Sequence, residues 1–530
     1  MAEALISVVL EQLASIVFEH TKQAVTLFLN AEEDVHSFRS NLEAIQAVLE
    51  DAEKKQVTEA RVRDWLQKLK DVSYEMDNVL DEWNTEILKQ QVEEGKKKFL
   101  SQKECTIIEA VKGANQRLEL PGDYKVRHLT LIDVREGQLP TLFDNCKNMR
   151  TLRTLNFLTL LDSSITAISP GSIMQMKCLR TLNLSRNELN KVPKEIGELI
   201  HLRYMDLSFS RNLKELPDAV CDLYNLQTLD VVFCGELEKL PKAMGKLINL
   251  KHLYVLGCNK LRYLPKGIGS LKSLQVLDWF YVCEGDDDEA LKLGDLGIMD
   301  QLQGSLSIDR LGNKDDASGI EKAQLGNKEH HSELRVFFQE GDEEQRKGDE
   351  EIVKALQPHQ NLESLDIWDC HIGTTESLYW INSLRNLRRL GLYEWKFCEV
   401  FPPLGKLPSL EILEIWAIKK VKKVGVEFLG IEEEEEQVSG ILFPKLKLLS
   451  FRSMDNWEEW AFVSEITIMP RLSELRIVEC PKLKALPKIP ALRTLEIWGC
   501  PILEGEYEKG VGKEWHNISH IPNLTIQSEW

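Results

Sequence analysis

The chain has 530 residues and a formal charge of −19, with 66 Lys and Arg against 85 Asp and Glu. That acidity argues against nucleic acid as the main partner. No apolar run reaches the roughly 18–20 residues of a membrane-spanning helix, and the 11 cysteines form no CxxC pair or zinc-spaced Cys/His cluster.

Residues 1 to about 92 contain neither Gly nor Pro, which favours helix. Met1 to His20 holds Glu3 and Glu11 and no basic leader, so it does not read as a signal peptide. The expected compartment is therefore the reducing cytoplasm, with free thiols and unused Asn-x-Ser/Thr sites. Apolar residues recur at three- and four-residue steps in three stretches, Leu5 to Phe28, Phe38 to Ala52 and Val62 to Ile87. Each stripe needs a partner, so a compact bundle of three or four helices is predicted.

Met1-Ala-Glu-Ala-Leu-Ile-Ser-Val-Val-Leu10, Val48-Leu-Glu-Asp-Ala-Glu53 and Trp65-Leu-Gln-Lys-Leu-Lys-Asp-Val72 resemble the N-terminal domain of coiled-coil plant disease-resistance proteins. The family's acidic helix motif, Glu-Asp-Val-Ile-Asp, falls on Asp77, Asn78, Val79, Leu80 and Asp81, with Asn78 replacing an acid. The resemblance implies that Asp77 and Asp81 dock on basic side chains of the repeat domain. A solvated helix face is the alternative. It also implies association with other immune-receptor helical domains and, through the first helix, peripheral contact with a membrane.

Family members normally carry a nucleotide-binding switch next, and hence ADP or ATP. Here a basic stretch, Gly95-Lys-Lys-Lys98, leads to Phe99–Ile108, which resembles the segment that follows the switch. No Gly-x-x-x-x-Gly-Lys-Ser/Thr occurs anywhere, so nothing is expected to cradle a phosphate or hold magnesium, and no cofactor is expected. The division read from the sequence is a four-helix, Rx-type coiled-coil domain at 1–92, a junction at 93–124 and repeats at 125–530.

The repeats are the strongest internal signal. Leu179-Arg-Thr-Leu-Asn-Leu184 returns from Leu202, Leu226, Leu250 and Leu274 at steps of 23, 24, 24 and 24 residues. Further copies start at Leu362, Leu387, Leu410, Leu446, Leu472 and Leu492, with weaker ones near Leu129, Leu152, Leu306 and Leu334. The first, fourth and sixth positions are expected to point inward and the residues between them outward along a short strand. The ninth position holds Asn187, Ser210, Cys234, Cys258, Cys370, Cys480 or Cys500, a small polar group suited to satisfying buried backbone. Pro193, Pro217, Pro241 and Pro265 then set an extended or short helical return. The fold class expected is an N-terminal α-helical bundle plus an α/β leucine-rich-repeat solenoid, a horseshoe with a parallel sheet on its concave face. The charged runs at 286–289, 341–351 and 432–436 read as loops, His330-His331 as a solvated pair, and the tail after Glu504 as a cap.

On the outward side, the seventh position carries Trp368, Tyr393, Trp416 and Trp498, the fifth carries Tyr254, and Phe280 lies on an earlier strand. Trp and Tyr are enriched at binding hot spots, so these residues form a candidate protein-binding surface. The alternative is that irregular coils bury them against one another. Arg180, Arg203, Arg388 and Arg493 follow the first Leu of their copies, and Arg180 and Arg203 are the candidate mates of the acidic motif. No nucleophile elbow, Ser–His–Asp signature or metal set appears, so no enzyme is expected. The function expected is plant innate immunity, by binding a pathogen effector or a guarded host protein. A truncated adaptor or decoy, a non-functional gene-model product, or a ubiquitin-ligase substrate receptor are the competing readings.

Overall fold

The computed structural model describes residues 105–109, 128–132, 137–138, 149–155 and 165–527, except 284, 286, 314–315, 340, 342–345, 374–375, 432–440 and 462–466. The expected bundle at 1–92, with Asp77 and Asp81, and the glutamate run at 432–436 lie outside the described residues.

The repeats stack as parallel strands in chain order, in two sheets. Eight strands run from Cys105–Glu109 to Val276–Leu277, and ten from Trp279–Tyr281 to Asn523–Gln527. The regular copies enter in phase. Leu182 lies opposite Met205, then Leu229, then Leu253, and Leu365 opposite Leu390, Leu413 and Leu449. All of these are buried, so each coil removes its aliphatic row from water only by stacking on the next.

Behind the first sheet, Pro193, Pro217, Pro241 and Pro265 each introduce a short 3-10 turn, Lys194–Glu198, Asp218–Asp222, Lys242–Lys246 and Lys266–Ser270. Proline fixes φ and has no N–H to leave orphaned, which suits a first turn. Ile196, Val220, Met244 and Ile268 plug these turns into the core. A Cβ on Gly245 would sit 2.8 Å from the Gly267 carbonyl oxygen, so these two turns meet backbone to backbone.

Two positions bend each coil inward. The eighth residue is left-handed at Arg186, Phe209, Phe233, Gly257, Asp369, Glu394, Ala417, Ser453, Glu479 and Gly499. Its N–H reaches the seventh-position carbonyl of the following coil, as from Phe233 to Leu256 at 2.7 Å and from Glu394 to Trp416 at 2.8 Å. That bond holds a conformation that L-residues otherwise avoid. The ninth side chain then enters the core, as its small polar character implies. Cys234 Sγ donates to Leu207 O at 3.3 Å, Cys258 Sγ to Val231 O at 3.1 Å and Cys500 Sγ to Ile477 O at 3.5 Å. Asn187 Nδ2 donates to Leu184 O at 2.9 Å, and its Oδ1 accepts from Ile165 N–H at 2.9 Å. Burial pushes the Cys234 thiol up to about 12 and raises the Cys258 thiol as well, so these two are inert, whereas the bond with Cys480 lowers the Cys500 thiol.

Four expectations are corrected. The sheet is not continuous. At Asp278 the carboxylate itself accepts from Val255 N–H at 2.8 Å and Leu256 N–H at 3.3 Å, and the Tyr281 hydroxyl donates to Val255 O at 3.1 Å. Side chains thus replace the ladder for one step, and the frame slips by one residue, which exchanges the two faces. Phe280 therefore turns into the core and is fully buried, while Trp279, expected inside, becomes half-buried on the outward side. His331 is not a solvated loop residue. It occupies the first-leucine place of its strand, His331–Phe338, and is buried, and that burial lowers its pKa. Part of the charged run at 341–351 is helical, within Arg346–Leu356. The tail adds, beyond a short helix at Pro501–Glu506, one more strand, Asn523–Gln527, paired with Thr494–Trp498.

Candidate protein-binding face

The seventh positions of the second sheet stand in one register row: Phe337, Trp368, Tyr393, Trp416, Arg452, Val478, Trp498 and Gln527. Four neighbouring coils therefore contribute aromatic rings in succession. Phe337 and Trp368 stack at 5.8 Å, and Trp368 and Tyr393 at 4.0 Å with planes 17° apart. Trp416 turns across this stack, at 88° to Trp368 with centroids 5.9 Å apart and at 76° to Tyr393. At the other end Trp279 meets Phe337 at 4.9 Å, and its Nε1 donates to Asp309 Oδ2 at 3.2 Å. The result is an aromatic ridge from Trp279 to Trp416, with offset and edge contacts of the kind ring quadrupoles favour.

The sequence candidates separate on this ridge. Trp368 and Trp416 are half-buried, whereas Tyr393 is only 7% exposed. For Tyr393 the packing alternative holds. Its ring lies over Gly391, where any Cβ would collide with the Tyr393 hydroxyl and with Asp366. Beneath it Arg389 forks between Asp366, with its two oxygens at 2.7 and 2.8 Å, and Glu414 at 2.7 Å, and donates to the Tyr393 hydroxyl at 2.9 Å. Burial, then the Asp366 and Glu414 carboxylates, push the Tyr393 hydroxyl above its ordinary range. Burial also raises Asp366, against the pull of Arg389. Arg335 is held by Glu333 at 2.5 Å and Asp366 at 3.8 Å. Trp498 is half-buried but stands apart, with Arg452 and Val478 between it and Trp416.

Tyr254 belongs to the first sheet. Its row at the fifth position reads Asn183, Asp206, Asp230, Tyr254. Asp206 Oδ1 accepts from Ser208 N–H at 3.0 Å, and Asp230 Oδ1 from Val232 N–H at 3.0 Å. Each carboxylate thus caps the backbone two residues ahead, the Asx geometry that suits the turn at the strand end. Burial pushes both Asp230 and Asp278 up to about 6. Tyr254 is raised too, by burial and then by Asp278 and Asp230.

Arg180 and Arg203 occupy the second position of adjacent coils and are half-buried. The Arg180 carbonyl accepts from Arg203 N–H at 2.8 Å and from Tyr204 N–H at 3.1 Å. Arg388 and Arg493 are exposed, and Arg388 pairs with Glu363 at 3.8 Å, an exposed contact of little weight. Among the described residues no cluster of three His, Cys, Asp or Glu side chains is placed to hold a metal ion. Among them no helix is long and apolar enough to cross a membrane.

Phe337, Trp279 and Trp395 escape the sequence reading. The first leucine before Phe337 is replaced by His331, which hides the frame, and the slip at Asp278 reverses Trp279. Trp395 fills a ninth position, where a small polar residue is expected. It is fully buried, and its Nε1 donates to Ile367 O at 3.1 Å, the bond that cysteine makes in other coils.

Residues 193–483 match the family model of a leucine-rich repeat region. The chain belongs to the leucine-rich-repeat proteins. A second repeat model matches 153–212, and residues 5–104 match the Rx N-terminal domain. This leucine-rich-repeat protein is 37% identical over 336 residues to disease resistance protein RGA1 of Solanum bulbocastanum, covering 63% of this chain and 32% of that one. It is 28% identical over 239 residues to disease resistance RPP13-like protein 1 of Arabidopsis thaliana, covering 42% of this chain and 22% of that one. The matched region thus spans a third or less of each relative's length. Its Rx N-terminal match, its repeats and these relatives make it similar to plant disease-resistance proteins of the coiled-coil, leucine-rich-repeat type. Among solved structures, a leucine-rich-repeat protein of Leptospira interrogans is 19% identical with a TM-score of 0.39, over 74% of this chain and 88% of that one. That likeness is too loose to add to the strand pattern itself.

Proposed function

We propose that this protein serves plant defence as a non-catalytic recognition scaffold in the cytoplasm. It binds a pathogen effector, or a host protein that an effector targets, across the outward sheet face around Trp368 and Trp416. The observation that carries this reading is the ridge. Half-buried rings from adjacent coils form one contiguous apolar strip on a face that is otherwise polar, and such a strip is costly in water unless a partner covers it. Tyr393 braces it by stacking on Trp368 at 4.0 Å, and Gly391 and Arg389 hold the Tyr393 ring in turn. The relatives' names support a defence role. The partners of those longer proteins come to this chain only as part of this proposal.

Two parts of the reading rest on the sequence. The helical region at 1–92 associates with like domains, and Asp77 and Asp81 meet Arg180 and Arg203. The protein works without bound ADP or ATP, since no phosphate-binding loop occurs in its sequence.

Expression of the full chain in leaves challenged with a pathogen tests the whole. The native protein is expected to change the defence response, measured as ion leakage and pathogen growth. The double substitution Trp368→Ala with Trp416→Ala is expected to abolish that change at equal protein level and near-equal Tm. A double variant as active as the native chain would remove the ridge from the mechanism.

A further inference from the structure

The second sheet ends on an open edge. Asn523–Gln527 is its last strand and, among the described residues, pairs only with Thr494–Trp498. Asn523 N–H donates to Arg493 O at 3.1 Å, and Gln527 O accepts from Gly499 N–H at 3.3 Å. A parallel ladder engages alternate residues of a strand on each side, so Asn523, Thr525 and Gln527 face the sheet. Leu524 and Ile526 therefore aim their N–H and C=O groups at the outer edge, where no described group meets them. Their side chains are also short of cover. Leu495 and Ile497, one strand back, are fully buried, whereas Leu524 and Ile526 are half-buried, since no described coil stacks on them.

Such an edge is a template for another strand, and proteins commonly blunt it with charge, proline or a bulge. Asn-Leu-Thr-Ile-Gln holds no charge and no proline, and its register runs unbroken. The two strands before it differ, with Glu474, Arg476 and Glu496 on their outward side.

We propose that this edge pairs with the same edge of a second copy of the chain, antiparallel about a two-fold axis at Thr525. Leu524 then lies opposite Ile526 of the second copy, and the two exchange both backbone hydrogen bonds, as do their symmetry mates. Thr525 lies opposite its own counterpart at the non-hydrogen-bonded site between them. Each side chain meets its like: aliphatic against aliphatic on the core face, Thr against Thr and Asn523 against Gln527 on the outward face. Such cross-strand pairs are favourable, and no like charges oppose each other along the seam. This match of the strand with its own reverse is what singles out a second copy over a strand of another protein. The axis stands perpendicular to the sheet, so the core faces join and the two outward faces adjoin. The inference is independent of the reading of the ridge.

The test is sedimentation velocity of the full chain from roughly 1 to 100 μM. The mass is expected to rise from 60.9 kDa toward twice that value. Thr525 is exposed, so Thr525→Lys and Thr525→Glu should each fold with an unchanged Tm. Each sets like charges against one another at the seam and should weaken the dimer by about fivefold. An equal mixture of the two variants should associate at least as well as the native chain, because Lys then faces Glu. A native chain that stays monomeric throughout would overturn the proposal. A dimer that both charge variants keep unchanged would place the contact elsewhere and overturn it too. A mixture that associates no better than either variant alone would do the same, since residue 525 would then not face its counterpart.

Discussion

At the fifth position the first sheet presents Asn183, Asp206, Asp230 and Tyr254, with Asp278 following at the break, while at the seventh the second presents Phe337, Trp368, Tyr393 and Trp416. The backbone of the two is the same. In the first, each carboxylate is answered by an N–H of its own or a neighbouring coil, so the outward row completes itself. In the second, the rings answer one another along the row, yet Phe337, Trp368 and Trp416 stay half-buried. One scaffold therefore holds a face whose polar groups are internally satisfied beside a face whose apolar groups are not, and only the latter calls for a partner.

The ninth position sharpens this contrast most. Cys258 and Trp395 make the same bond to the coil before, each at 3.1 Å, but they fill very different volumes. Trp395→Ala should cost about 4 kcal/mol, through a cavity and an orphaned carbonyl. Cys258→Ala should cost about 1 kcal/mol, mostly the lost bond. Because repeats are coupled chiefly to their neighbours, hydrogen exchange should show the Trp395→Ala loss confined to the coils around Ile367–Glu394. Equal costs, or an opening that spreads through both sheets, would break the idea that the ladder bond is common and only the packing differs.

How much of this is legible in the sequence depends on the frame. Where Leu, or Met or Val in its stead, holds the first, fourth and sixth places, as from Leu179 to Val255, the strands, the buried row and the cysteine ladder follow from spacing alone. Where one inward residue changes type the frame is lost, as at His331, and Phe337 goes unseen. Asp278 reads as an ordinary outward acid, and nothing in the spacing says that its carboxylate will enter the ladder and turn Phe280 inward. Trp368 and Trp416 could be placed by counting. Tyr393 could be placed but not its burial, because that depends on the missing side chain of Gly391 two residues before it and on Asp366 one coil away.

The join between the sheets offers a smaller effect, with a definite sign. Burial raises Asp278 to about 6, above its unfolded value of about 3.9. The folded chain therefore binds that proton more tightly, and this group's contribution to stability is full below pH ~4 and is lost as pH rises through ~6. Lowering the pH from ~7 to ~5 should favour folding through Asp278 by on the order of 1 kcal/mol. Asp278→Asn keeps an oxygen for Val255 N–H and cannot titrate. The stability difference between native and variant should therefore change across that range, read from urea unfolding at each pH. A difference that stays constant would mean that Asp278 is not the proton-binding group at the break.

The smallest effect separates the two sheets at the eighth position. In the regular copies that residue is left-handed, but the first sheet gives it something to touch: Arg186 lies over Phe209, and Phe209 packs on Phe233 at 5.0 Å. Ala417, at φ 57°, has only its methyl group to offer. A left-handed L-residue costs about 1–2 kcal/mol, which glycine avoids, though glycine gives back roughly 0.5–1 kcal/mol through the freer unfolded chain. Ala417→Gly should therefore stabilise the protein by about 0.5 kcal/mol, and Phe233→Gly should destabilise it, because there the same relief comes with the loss of a ring contact. Measured together by thermal melts, the two substitutions ask whether the inward bend is held by the ladder bond alone or also by the aromatic row. If both stabilise, the row in the first sheet contributes nothing to the bend. If both destabilise, the left-handed turn is not the strained element that its φ values indicate.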